Sequence, residues 1–374
     1  MRNISDTIAR LTAARGNALP GRTSKEPSRL SEMTSFGSNP GALKAHSYLP
    51  QALPEGAPLV VVLHGCTQTA AGYDRGSGWS QLADRHGFAL LYPEQQRANN
   101  PNLCFNWFVP GDIRRDSGEA LSIAQMVRRM IESHDLDPRR VFVTGLSAGG
   151  AMTSVMLAAY PDLFAGGAII AGLPYGCAGT VPEALDRMRG HGLPPEKTLQ
   201  NALRNASGHQ GPWPAVSVWH GTRDLTVVPA NMEAIVTQWR GVHRLPAEPT
   251  EIGAVEGHSR RVWRDGTGAA KIEEFRIAGM GHGTPLSTAD GIGTPGAFML
   301  DAGISSTRHI ADFWQLSGTG SELPVQREPV KPGISAGQDD QHAILPPVAP
   351  TLTKAAAGVG KVIEDALRAA GLMR

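Results

Sequence analysis

Ser147 lies in Gly145-Leu146-Ser147-Ala148-Gly149, directly after the apolar run Val141-Phe142-Val143 and just before small residues and helix formers. A serine hydroxyl is a weak nucleophile until a base takes its proton, and the base works best when an acid holds it in one orientation. Two later stretches supply those groups. Asp224 follows the strand-like run Ala215-Val216-Ser217-Val218-Trp219 in His220-Gly221-Thr222-Arg223-Asp224, and His282 sits in the glycine loop Gly279-Met280-Gly281-His282-Gly283. His220 and His258 compete with His282 for the role of base, and His282 is preferred because it follows the last strand of a Ser, Asp, His order. The chemistry expected is acyl transfer through a covalent intermediate on Ser147.

Such a serine needs a sharp strand-to-helix turn. Glycine at 145 and 149 removes the Cβ atoms that would collide with neighbouring backbone, and the following helix aims free N–H groups and a partial positive charge at the same point. A second oxyanion donor is expected earlier in the chain, where Pro58-Leu59-Val60-Val61-Val62-Leu63 runs into His64-Gly65-Cys66. The backbone N–H groups of Cys66 and Ala148 are the candidate oxyanion hole, and His64 is read as packing or orienting the loop.

The continuous apolar runs fit strands of a sheet covered on both faces. Helices are expected over 79–86, from Asp116 to about His134, 153–160, 195–205, 230–239 and 298–316, with strands over 87–93 and 164–171. Asp116 and Glu119 are spaced as a capping box with aspartate as the cap. A hairpin is expected to turn at Asp265-Gly266-Thr267-Gly268. The polar loop 94–110 carries Cys104, Asn106, Trp107 and Phe108, and its aromatics either line a substrate groove or anchor the loop. Residues 174–214 read as an insertion over the active-site face, walling the pocket or elaborating the surface.

Composition narrows the class. The 374 residues carry a formal net charge of +1, with 18% charged and 41% hydrophobic, a globular profile without the basic stripe of a nucleic-acid binder. No apolar run reaches the ~20 residues of a membrane span. The N-terminus lacks a continuous apolar signal region, so a cytoplasmic location is expected. Three cysteines lack metal-ligand spacing, and neither a cofactor nor a metal is expected. Cys66 and Cys104 either bridge or stay reduced.

Four segments are expected: an extension over 1–40 with Ile4, Ile8 and Leu11 at helical spacing, a catalytic domain over 41–316, a Gly/Pro-rich linker over 317–350 and an Ala-rich amphipathic helix over 351–374. The last helix could dock on the core, on a protein partner or on an apolar granule surface.

Several motifs together, Leu63-His64-Gly65-Cys66-Thr67-Gln68, Tyr92-Pro93-Glu94-Gln95, Cys104-Phe105-Asn106-Trp107-Phe108, Gly172-Leu173-Pro174-Tyr175-Gly176-Cys177 and His220-Gly221-Thr222-Arg223-Asp224, make residues 43–316 resemble the polyhydroxybutyrate depolymerase family, which includes feruloyl and acetylxylan esterases. The resemblance implies an α/β-hydrolase fold with a mostly parallel central sheet, helices on both faces and flexible terminal extensions. It also implies ester hydrolysis by Ser147, Asp224 and His282, with Trp107 and Tyr175 as substrate-binding candidates. Members of that family are often extracellular. A 3-hydroxybutyrate polyester or oligomer is the expected substrate. Feruloyl, acetylxylan or short-chain esters, acyl transfer to an alcohol, and a granule-binding role carried by the terminal helices are the alternatives.

Overall fold

The computed structural model describes residues 28–317. The elements run β1 (Ser31–Glu32), β2 (Lys44–Tyr48), β3 (Leu59–Leu63), α1 (Ala70–Ser77), α2 (Trp79–His86), β4 (Ala89–Glu94), α3 (Gly118–His134), β5 (Val141–Leu146), α4 (Ala148–Ala159), β6 (Gly166–Ile170), α5 (Val181–Met188) and α6 (Glu196–Asn205). They continue with β7 (Ala215–Gly221), α7 (Ala230–His243), β8 (Glu251–Val255), β9 (His258–Arg264), β10 (Ala270–Ile277), β11 (Thr284–Leu286), β12 (Met299–Asp301) and α8 (Ser306–Phe313). The helices expected near Ile4 and over 351–374, and the linker between 318 and 350, lie outside the described residues.

Ten strands form one sheet in the order β1-β2-β4-β3-β5-β6-β7-β10-β9-β8. The six from β4 to β10 are parallel, and the antiparallel pairs lie at the two edges. Alternate residues of each strand face opposite sides. Leu59, Val61 and Leu63 accordingly pack with α3, α4 and α7, whereas Val60 and Val62 pack with α1, α2 and α8. β3 lies between β4 and β5, so the chain leaves it in one direction and later returns on its other side. The loops after β3 and β5 therefore part above the sheet, and a crevice at the carboxyl ends of the strands is where an open α/β sheet places its ligand.

The sheet begins earlier than a fold starting near Leu43 suggests, because β1 pairs with β2. The edge strand β8 and the small parallel pair β11–β12 were not expected from the pattern. Two expectations about helices are corrected. The closing helix does not begin at Phe298, which has φ +62°; the chain forms β12 first, and Ser305 caps α8 by accepting from Arg308 N–H. The capping box at Asp116 does not form either. Ser117 is the N-cap of α3, and Asp112 receives the first-turn donors, its Oδ1 accepting from Glu119 N–H at 3.2 Å and its carbonyl from Ala120 N–H at 3.0 Å. With those donors already satisfied, the Glu119 carboxyl turns away from the helix end and into the core.

Candidate active site

Ser147 occupies the turn between β5 and α4 with φ 57° and ψ −115°, a conformation that costs a non-glycine residue about 1–3 kcal/mol. Close packing holds it there. Ser147 N–H donates to Ile170 O at 2.9 Å, a Cβ at Gly145 would lie 2.5 Å from Gly149 C, and a Cβ at Gly149 would lie 2.3 Å from Leu63 O. The two glycines thus let β5, α4 and the end of β3 approach more closely than any side chain permits. Every residue of α4 is buried, which explains its run of alanine, glycine and other small residues after the serine.

Asp224 and His282 come from the carboxyl ends of the neighbouring strands β7 and β10. Gly221 allows their loops to meet, since a Cβ there would lie 2.3 Å from Met280 O. His282 Nδ1 donates to Asp224 Oδ2 at 2.7 Å. The other carboxylate oxygen accepts the N–H groups of Thr226 and Val227, each at 2.9 Å. Burial opposes ionisation of Asp224, but the adjacent His220 imidazole and the hydrogen bond from His282 outweigh it and hold the carboxyl well below the usual carboxylate range. The acid is therefore a fixed negative charge on Nδ1 of His282, which leaves Nε2 without a partner among the described residues. Ser147 Oγ and His282 form no hydrogen bond in this structure.

The competing histidines are occupied. His258 Nδ1 accepts Ala278 N–H at 3.1 Å, so its Nε2 carries the proton and donates to Ala302 O at 2.9 Å. His220 donates from Nε2 to Val227 O at 2.7 Å and lies 3.4 Å from Asp224 Oδ2, beneath the acid rather than across from the serine. His220, a competing base on the sequence alone, is instead set by the structure as a second imidazole against Asp224.

The loop after β3 carries the candidate oxyanion donor. Gly65 N–H donates to Gln68 Oε1 at 2.8 Å and Thr67 N–H to Asn102 O at 2.7 Å, whereas the N–H groups of Cys66 and Ala148 have no acceptor among the described residues. His64 touches Gly65 O through Nδ1 at 2.8 Å and Gln95 N–H through Nε2 at 3.1 Å. A carbonyl only accepts and an amide N–H only donates, so the ring is neutral with its proton on Nδ1, and burial lowers its pKa to match. Cys66 and Cys104 form a disulfide with Cα atoms 4.3 Å apart, which joins this loop to the 94–110 segment, while Cys177 is free and buried.

Trp107 and Tyr175 are 7% and 9% exposed and belong to the main hydrophobic cluster. Trp107 packs edge-on against Phe108 at 5.1 Å, and the Tyr175 backbone is held from both sides by Gln238. Both therefore anchor the loops that carry them. The 174–214 segment holds α5 and α6, of which only α6 was expected. Among the described residues, no cluster of three or more His, Cys, Asp or Glu side chains could hold a metal ion, and no helix is long and apolar enough to cross a membrane.

A serine on a strained strand-to-helix turn and a histidine–aspartate pair from later strand ends, all at the carboxyl edge of a parallel sheet, define an α/β-hydrolase. The chain belongs to the Esterase PHB depolymerase family, whose profile matches residues 43–248. It is 47% identical over 293 residues to poly(3-hydroxyalkanoate) depolymerase C of Paucimonas lemoignei, a match covering 77% of this chain and 70% of that one. It is 33% identical to an acetylxylan esterase of Coprinopsis cinerea, over 69% of this chain and 70% of that one. Among solved structures, an acetyl xylan esterase from Aspergillus awamori aligns with a TM-score of 0.64 and 27% identity, over 70% of this chain and 97% of that one. The protein is accordingly a carboxylic ester hydrolase of the serine-esterase type.

Proposed function

We propose that the protein cleaves 3-hydroxyalkanoate esters, as polymer or oligomer, with Ser147 as nucleophile, His282 as base and Asp224 as the group that orients it. The observation that carries the reading is the 2.7 Å bond from His282 to Asp224, formed between two loops that Gly221 brings together on the same sheet edge as Ser147. In the reaction, His282 Nε2 takes the Ser147 proton as Oγ attacks the ester carbonyl, a contact that tightens when substrate binds. The tetrahedral oxygen receives the free N–H groups of Cys66 and Ala148, and His282 returns the proton to the departing alkoxide. Water then attacks the acyl-enzyme by the same route. Trp107 and Tyr175 shape the acyl site in this reading by anchoring the loops that border it, the 174–214 segment forms a wall over it, and the catalytic domain runs from β1 at Ser31 to residue 316 rather than from residue 41.

The substrate class is supported by the 47% identity to a poly(3-hydroxyalkanoate) depolymerase. The likeness to acetylxylan esterases supports a second reading, deacetylation of polysaccharide. Hydrolysis rates on hydroxybutyrate oligomers, amorphous polyester, methyl ferulate and acetylated xylan decide between them. A preference for acetylated xylan refutes the polyester reading, and a burst of p-nitrophenol persisting in Ser147→Ala refutes the nucleophile. The disulfide fits an oxidising compartment better than the cytoplasm. Binding of residues 351–374 to an apolar granule surface is tested by deleting 318–374, which should abolish adsorption to polyester particles and leave short-ester hydrolysis intact.

A further inference from the structure

Glu119 is fully buried in the first turn of α3, and no step above uses it. Its Oε1 accepts from Gln95 Nε2 at 2.6 Å and from Asn99 Nδ2 at 3.1 Å, and its Oε2 accepts the backbone N–H of Asn106 at 2.8 Å. Three donors thus converge on one side chain, and a carboxyl group, with two oxygens able to accept, receives them all. It forms no ion pair among the described residues. Burial, with the nearby Asp112 charge adding to it, pushes its pKa up to about 8. A group so unfavourable to bury, in a place where an apolar side chain would cost less, calls for a reason beyond packing.

The three donors lead to the oxyanion loop. Gln95 N–H meets His64 Nε2, and the same residue's side chain also donates to Cys104 O at 3.1 Å. Cys104 is bonded to Cys66, and Asn102 O accepts Thr67 N–H. His64, Cys66 and Thr67 around the free Cys66 N–H are therefore fastened to segment 95–106, and Glu119 grips that segment at both ends, at Gln95 and at Asn106. Gly41 makes room for this arrangement, since a Cβ there would lie 2.5 Å from Glu119 Cα. We infer that Glu119 is a positioning residue that fixes the aim of the Cys66 N–H through segment 95–106. The inference rests on the assignment of that N–H to the oxyanion hole.

Glu119→Gln preserves shape but turns an amide N–H against a donor. At pH 9, where the native carboxylate is ionised, kcat for p-nitrophenyl butyrate should fall about tenfold with KM within about twofold, and inhibition by an aryl trifluoromethyl ketone, whose adduct oxyanion needs the same N–H, should weaken by the same factor. A folded variant that keeps kcat and ketone affinity within about twofold overturns the role. So does one in which KM moves while kcat holds. Should Glu119→Gln not fold, Gln95→Leu cuts the tie from the loop side and must give the same split, failing which the role is likewise refuted. The burst amplitude with p-nitrophenyl acetate is read in both variants and in Ser147→Ala: a burst surviving in the alanine variant condemns the nucleophile assignment, whereas a Ser147-dependent burst with unchanged kcat in the Glu119 variant condemns only the positioning role.

Discussion

Replacing Gly149 by alanine tests whether the elbow and the oxyanion loop form one unit. The added Cβ would lie 2.3 Å from Leu63 O, 2.6 Å from His64 O and 2.7 Å from Leu63 C. All three are backbone atoms of the strand end that carries Cys66, so no side chain can swing aside. Restoring ordinary contact requires α4 and the end of β3 to separate by about 1 Å. Cys66 N–H rides on the strand end and Ala148 N–H on the helix, so the same movement pulls the two donors apart. A hydrogen bond stretched by that much is largely lost, and one oxyanion donor is worth about 3 kcal/mol, or about a hundredfold in kcat. The assay is kcat and KM for p-nitrophenyl butyrate, normalised to burst-titrated sites, with Tm measured alongside. Gly266→Ala is the control, because nothing lies within 4 Å of its added Cβ. A Gly149→Ala enzyme with native Tm and kcat within about threefold of wild type would refute the reasoning.

Asp224→Asn should lower kcat about ten-thousandfold, because an amide cannot hold His282 in the right tautomer, whereas Asp265→Asn in the β9–β10 turn should leave kcat unchanged; equal losses in the two would refute the assignment. Reducing the Cys66–Cys104 bridge, which spans 38 residues, should lower urea-derived stability by about 4 kcal/mol on loop-entropy grounds, and an unchanged midpoint would contradict it. The Glu119 carboxyl, with a pKa raised from 4.5 to about 8, favours the fold fully below pH 4.5, and that contribution fades as pH rises through 8. Wild-type stability should thus fall more between pH 5 and pH 9 than that of Glu119→Gln, measured by urea unfolding at both, and parallel profiles would count against the shift.

The placement of the candidate site residues was legible because it is encoded over short stretches. Gly145 and Gly149 around Ser147, the strand run ending in His64-Gly65, Asp224 after β7 and His282 after β10 are each read from a few adjacent residues, since strand runs, tight turns and glycine clearances follow from local sterics. The chain order Ser, Asp, His then selected the fold. What the pattern left open depends on which distant segments become neighbours. His258 was removed as a base by Ala278 and Ala302, and Cys66 met Cys104 rather than remaining a thiol. Trp107 entered the core cluster, and Phe298 to Leu316 broke into β12 and α8 because residues 299–301 found a strand partner in β11. Glu119 marks the division most clearly. Its spacing from Asp116 spelled a helix cap, but Asp112 had already satisfied the helix, and the carboxyl took the three donors that the folded 95–106 segment brought to it. The sequence by itself determined the strained turn at Ser147 and the order in which Asp224 and His282 follow it, because tight turns and strand ends depend on local backbone sterics. Only the tertiary structure decided which buried polar groups face one another, because hydrogen-bond satisfaction in the core depends on contacts between residues far apart in the chain.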